Sequence, residues 1–153
     1  MSYLLHPPML KELGLRFALK SYVDGFAERS KIKVESQIAS DLGRLPQEYE
    51  LSLFRIVQEC LTNVHRHSKS PSALVRLSGT PREITLEVKD NGTGIDNELR
   101  SNIVSGSSTG VGFRGMQERV RTLGGTLTVE SSENGTSVLV ALPIIGQPHS
   151  ADA

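Results

Sequence analysis

The sequence predicts a two-layer α/β sandwich: a mixed, mostly antiparallel sheet with helices on one face. Three observations carry this. Segments with apolar residues at helical spacing are interspersed with segments in which every second residue is apolar. The alternating segments imply strands with one buried and one wet face. The order along the chain is α-β-α-β-β, a long loop, then α-β-β, which suits helices layered over one sheet.

The first helix is expected over 7–30, "PPMLKELGLRFALKSYVDGFAERS", with apolar residues at 10, 13, 17 and 26 and two prolines at its start. "IKVESQI" (32–38) alternates and reads as a half-buried strand. "PQEYELSLFRIVQECLTNVHRHS" (46–68) opens on Pro followed by acids, a good helix N-terminus. Leu53, Phe54, Val57, Leu61 and Val64 form its apolar stripe, and Ser70-Pro71 stops it. Two strands follow, 72–79 with Ala73, Val75 and Leu77 on one face, and 83–90 with Ile84, Leu86 and Val88. "GTPR" between them is a hairpin turn. Residues 91–110 are rich in Gly, Ser, Asn and Thr, and a connection of that length is usually functional or mobile. A helix over 111–125 closes at Gly124-Gly125. Strands at 126–131 and 136–143, joined by "ENG", end the domain.

Bulk composition narrows the function classes. The chain has 153 residues, with 17 Lys+Arg against 17 Asp+Glu. It is long enough for a core, and its charge balance shows no chain-wide nucleic-acid or membrane footprint. No apolar run reaches the roughly 20 residues of a membrane-spanning helix. No signal peptide opens the chain, and the single cysteine, Cys60, suits a reducing cytoplasmic compartment.

Glu59, Asn63 and His67 stand four apart, which stacks them on one helical face. On these residues alone, a solvated helix face explains the pattern better than a site does. Nine of the 14 glycines fall between Gly92 and Gly135. One group, "DNGTGID" (90–96), ends a strand; the other, "GVGFRG" (110–115), opens a helix. Glycine lets backbone approach a ligand closely, and amides at a helix N-terminus bind phosphate. The second group spells G-x-G-x-x-G, but the residues before Gly110 are polar and loop-like, so the dinucleotide-binding context fails. There is no P-loop and no nucleophile elbow. His65 and His67 would point about 200° apart on an α-helix, which does not chelate zinc.

Together these stretches resemble the ATP-binding catalytic domain of bacterial two-component sensor histidine kinases. That domain has the Bergerat fold, shared with gyrase and mismatch-repair ATPases. "FRIVQECLTNVHRHS" (54–68) resembles the family's N box and "DNGTGI" (90–95) its first glycine box. "GVGFRGMQERVRTLGGTLTVES" (110–131) and "GTSVLVALP" (135–143) resemble the second glycine box and closing strands. "PPMLKELGL" (7–15) and "GFRGMQERV" look like the subfamily whose partners are response regulators with helix-turn-helix output.

The resemblance implies ATP and Mg²⁺ as ligands. Asn63 would hold the metal through its amide oxygen, a hard donor of the kind Mg²⁺ takes. Glu59 would either act as base on the incoming histidine or sit over the metal's water shell. Arg66 and His67 would face the phosphates, and Asp90 would accept from the adenine amino group. Asp90 also suits a turn before Asn-Gly, and Thr136 suits a plain strand as well as a place near adenine. Gly92, Gly94 and Ile95 would pass beneath the base. Gly110, Val111, Gly112, Phe113 and Gly115 would shape the phosphate-facing turn, with residues 96–109 as the lid over the nucleotide.

The implied organisation is a joint at 1–10, the catalytic domain at 11–143 and a frayed tail at 144–153. The phosphoacceptor histidine would lie on a dimerisation domain absent from this sequence, and the phosphate would pass to a response regulator's Asp. His6, before two prolines where the subfamily often has Arg, belongs to the joint and is not the acceptor. The intact protein would be a homodimer, cytoplasmic or anchored in the inner membrane; the fragment alone would be a monomer with little turnover. The alternative is a stand-alone serine kinase of the anti-sigma-factor type, against which the 7–30 helix and "GFRGM" speak.

Overall fold

Helix α3 (Gln47–Asn63) organises the molecule, because its neighbours pack on three of its sides. The structure is a computed structural model that describes residues 8–40, 42–68, 72–91, 111–132 and 135–144. Before α3 come α1 (Pro8–Leu13), α2 (Leu15–Ser30) and β1 (Lys33–Ile38). After it come β2 (Ser72–Gly79), β3 (Glu83–Asp90), α4 (Val111–Thr122), β4 (Thr126–Ser132) and β5 (Gly135–Pro143). The sheet order is β1-β2-β3-β5-β4. Among the described residues only β1 and β2 are parallel, with α3 in the connection between them, and the other pairings are antiparallel. This is the expected sandwich, with β2 and β3 bounded as the alternation predicts.

The core lies between the helices and one sheet face. Val75, Leu77, Ile84, Leu86, Val88, Val140 and Leu142 are buried from the sheet side, and Leu53, Ile56, Val57 and Leu61 from α3. The opposite face is mostly polar, with Leu139 exposed on it. There Arg76 donates to Gln37 and to Glu87, each at 3.1 Å, and the Ser137 hydroxyl donates to Glu87 at 3.3 Å. Exposed pairs of this kind stabilise little, so the face marks solvent more than it adds strength.

The expected helix over 7–30 is two helices. Gly14 breaks it at φ 96°, a conformation that side chains rarely tolerate, and a Cβ there would meet Arg44 Cδ at 2.8 Å. The buried face also differs from the expected one. Leu15, Ala18, Leu19, Val23 and Phe26 turn inward, while Leu13 and Phe17 stay more than half exposed at 54% and 55%. Arg44 fills the elbow: it donates to the Lys11 carbonyl at 3.2 Å and twice, at 3.1 Å, to the buried carboxylate of Glu50. The Leu45 amide adds a third bond to that carboxylate, at 3.1 Å. Glu50 is therefore more than an acid at a helix start, because it ties the α1–α2 elbow to α3.

The expected 46–68 helix also changes character at its end. It is α-helical to Asn63, and Val64–Ser68 form a wider π-turn. Beyond α4, crossed bonds close the helix: Gly125 N–H donates to Val120 and Gly124 N–H to Arg121, both at 2.9 Å.

Cys60 is 2% exposed in this core, and burial, helped by the charge of Glu59, pushes its thiol well above the ordinary range. The folded state then keeps the proton where the unfolded chain releases it. Its contribution is intact below the unfolded value of about 8.5 and declines as pH rises past it. We predict that a thiol reagent at pH 8 modifies the native protein only at the rate of unfolding. Prompt stoichiometric labelling without loss of structure would contradict the buried placement.

Candidate functional site

Element directions decide which ends meet. Tyr49, in the first turn of α3, donates its hydroxyl to the Pro143 carbonyl, and Pro143 pairs with Glu83 at the start of β3. The two elements touch, and their lengths match at roughly 25 Å for 17 helical and 8 strand residues. The Asn63 end of α3 therefore lies over the Asp90 end of β3. Helix α4 runs the other way. Gly124, just past its end, lies against Pro143, a Cβ there standing 3.5 Å from the Pro143 ring. Its Val111–Gly112 start thus faces the same edge as Asn63 and Asp90.

Within that edge, Asp90 is a carboxylate only 3% exposed at the last position of β3. The Thr136 amide donates to its Oδ1 at 3.4 Å. Gly135 makes this approach feasible: it sits at φ 139°, and a Cβ there would stand 2.0 Å from the Asp90 carbonyl oxygen. Asn91 secures the other side, its amide group donating to Ser72 Oγ at 2.7 Å and its backbone N–H to the Ser72 carbonyl at 3.3 Å.

On α3, Glu59 and Asn63 are half-buried and one turn apart. The helical period turns them roughly 140–180° away from Phe54, which faces α2, and so toward the α4 flank. Glu59 is near enough to Tyr22 to raise its phenol, in an environment where burial is the largest cause and Arg29 and the Thr62 hydroxyl act in the opposite direction. Arg66 and His67 follow in the π-turn, Arg66 exposed. The stacking expected from steps of four therefore runs from Glu59 to Asn63. A turn closed by i→i+5 bonds shifts the register before residue 67. Gly115 is exposed on α4, with nothing near its missing Cβ. Val111, Gly112 and Phe113 are placed by backbone alone, and Gly92, Gly94, Ile95, Gly110 and residues 96–109 lie outside the described residues.

Gly135 and Asn91 were not among the expected site residues. The signal for Gly135 was the "ENG" turn, which explains its glycine locally and hides its closeness to Asp90. A groove of about 550 Å³ lies between α3 and α4, lined by Glu48, Ser52, Glu118 and Arg119 among others, and Gly115, an expected site residue, lines this groove. It sits on the first turns of α3, and Ser52 is 11 residues, or roughly 16 Å, short of Asn63.

Known proteins resemble this chain in sequence and fold. The family described as "Histidine kinase-, DNA gyrase B-, and HSP90-like ATPase" matches residues 48–145. The signal transduction histidine-protein kinase/phosphatase DegS of Brevibacillus brevis is 36% identical over 143 residues, covering 93% of this chain and 36% of that protein. The sensor histidine kinase MctS of Rhizobium johnstonii is 35% identical over 143 residues, covering 94% of this chain and 30% of MctS. The chain thus spans about a third of the length of these relatives. A solved histidine kinase domain, from the blue-light activated kinase EL346 of Erythrobacter litoralis, superposes with a TM-score of 0.74 at 25% identity, covering 88% of this chain and 63% of that one.

Gly135→Ala should separate β5 from Asp90, because the clash is with backbone. We predict loss of the Asp90–Thr136 contact, seen as large amide shifts at both residues, with a lower Tm. Unmoved amide resonances in the alanine variant would show that the approach is looser than described.

Proposed function

Because this chain belongs to the family of histidine kinase-, DNA gyrase B- and HSP90-like ATPases, we propose that it is the Mg-ATP-binding catalytic domain of a sensor histidine kinase. The observation that carries this is the shared edge. A buried carboxylate at the end of β3, an acid and an amide on α3, and the start of α4 converge there. Asp90 accepts from the adenine amino group, which can only donate. Its burial makes the pairing selective, since a base lacking that donor forgoes a hydrogen bond in a corner nearly closed to water. The start of α4 supplies backbone amides for phosphate.

Mg²⁺ fits the donors present. Among the described residues no cluster of three or more His, Cys, Asp or Glu could hold a metal by itself. Mg²⁺ needs no such cage, because it keeps several waters and takes phosphate oxygens. Asn63 would hold it, with Glu59 one turn away, and the bound ion would supply charge neutralisation at the phosphates. This chain's residues bind the base, orient the triphosphate and place the γ-phosphate, which is most of phosphoryl-transfer catalysis. The acceptor is a histidine on a dimerisation domain of the longer protein, and the phosphoryl group passes on to an Asp of a response regulator. Glu59 serves as base on that histidine or as support for the metal's waters. The residue range 96–109 acts as the lid. The names of the relatives, sensor histidine kinases, support this reading over a serine kinase.

We predict saturable binding of a fluorescent ATP analogue that strengthens with Mg²⁺. Asp90→Asn should weaken it at least tenfold, because an amide can turn a donor toward the adenine amino group. Asn63→Ala should remove the Mg²⁺ enhancement and leave metal-free binding intact. Wild-type affinity in both variants would overturn the assignment.

A further inference from the structure

We propose that His65 is a positioning residue. Its imidazole, edge-on against Phe26 of α2, holds the wide turn after Asn63 and so sets the phosphate side of the nucleotide site. The proposal rests on the nucleotide reading above. His65 is exposed. Yet its ring centroid stands 6.3 Å from that of Phe26 at 83°. This is the edge-to-face geometry that aromatic pairs favour. Phe26 is itself buried, so the surface offered to His65 is fixed.

The contact belongs to a seam. Tyr22 meets Phe54 at 5.7 Å and 69°, and stacks with Phe26 at 6.3 Å and 27°. Phe54 and His65 are 11 residues apart, close to three helical turns, so both fall on the α2 flank. Four rings thus run from mid-α3 to the turn beyond its end. That turn, Val64–Ser68, is of the π type. Such turns are rare, recur at functional sites, and need a tertiary reason to persist. Val64 supplies one anchor, being 5% exposed in the core. His65 supplies the other through its contact with Phe26, while exposed Arg66 stands roughly a quarter-turn further on. Without the ring, the turn loses its hold on α2 and can relax toward α-helical register. Relaxation would rotate Arg66 and His67 relative to Asn63. The base end, held by β3 and β5, would not move.

The ring, not its charge, carries the role, so phenylalanine should substitute. The test compares wild type, His65→Ala and His65→Phe in two measurements. In nucleotide-free protein, amide exchange over 64–68 should quicken about fivefold in His65→Ala, the scale of one aromatic pair, and return to the wild-type rate in His65→Phe. In titrations, His65→Ala should lose Mg-ATP affinity by about the same fivefold factor while adenosine affinity is unchanged, and His65→Phe should recover it. Wild-type exchange over 64–68 in His65→Ala would overturn the proposal. So would equal loss of both ligands, or failure of His65→Phe to recover. A wild-type protein that binds neither ligand overturns the nucleotide reading and with it the phosphate half of this proposal; the exchange comparison still decides whether His65 holds the turn.

Discussion

The helical period of α3 must satisfy three neighbours at once. Its apolar stripe, Leu53, Ile56, Val57, Cys60 and Leu61, seals the sheet. Its aromatic flank, Phe54 and then His65, meets Tyr22 and Phe26 of α2. What is left, toward α4, carries Glu59 and Asn63. Because 3.6 residues make a turn, no residue on one flank can be moved by a single step without entering another. The site residues are thus fixed by core packing, which is stiff, and not by a loop.

Anchoring at the far end gives this arrangement its direction. Tyr49 bonds to Pro143, and Glu50 holds Arg44 and the Leu45 amide, so the start of α3 is tied to β5 and to the α1–α2 elbow. The opposite end of the helix is left to the site. There Asp90 and Thr136 are brought together by two strands whose spacing at Gly135 excludes even a methyl group. Under the proposed function, the close-packed corner at Asp90 takes the base and the helix end finished by a π-turn takes the phosphates. The adenine end needs selectivity, and the phosphate end needs adjustment.

Much of this was legible in the sequence because it is local. Alternation gave β2 and β3 to the residue, and the α3 stripe is the buried one. The break at Gly14 was not legible. A glycine inside an apolar pattern is compatible with a helix, and Leu13 and Phe17 suggested a stripe that solvent in fact covers. The π-turn has no local signature, since it follows from where Val64 and His65 find partners. Asp90 is proposed from its motif, whereas Gly135 lies 45 residues away and only strand pairing brings the two together. Contacts between distant positions are what a single sequence does not print.

The proposed function puts nucleotide at the edge shared by the ends of α3 and β3 and the start of α4. An amide-resolved NMR titration of the labelled protein with Mg-ATP tests it most directly. The largest shifts should fall at Asn63, Asp90, Asn91 and Thr136 and at the start of α4. Glu48, Ser52 and Leu123, in the groove at the far end, should stay still. Shifts centred on that groove, with Asp90 and Asn63 unmoved, would contradict it.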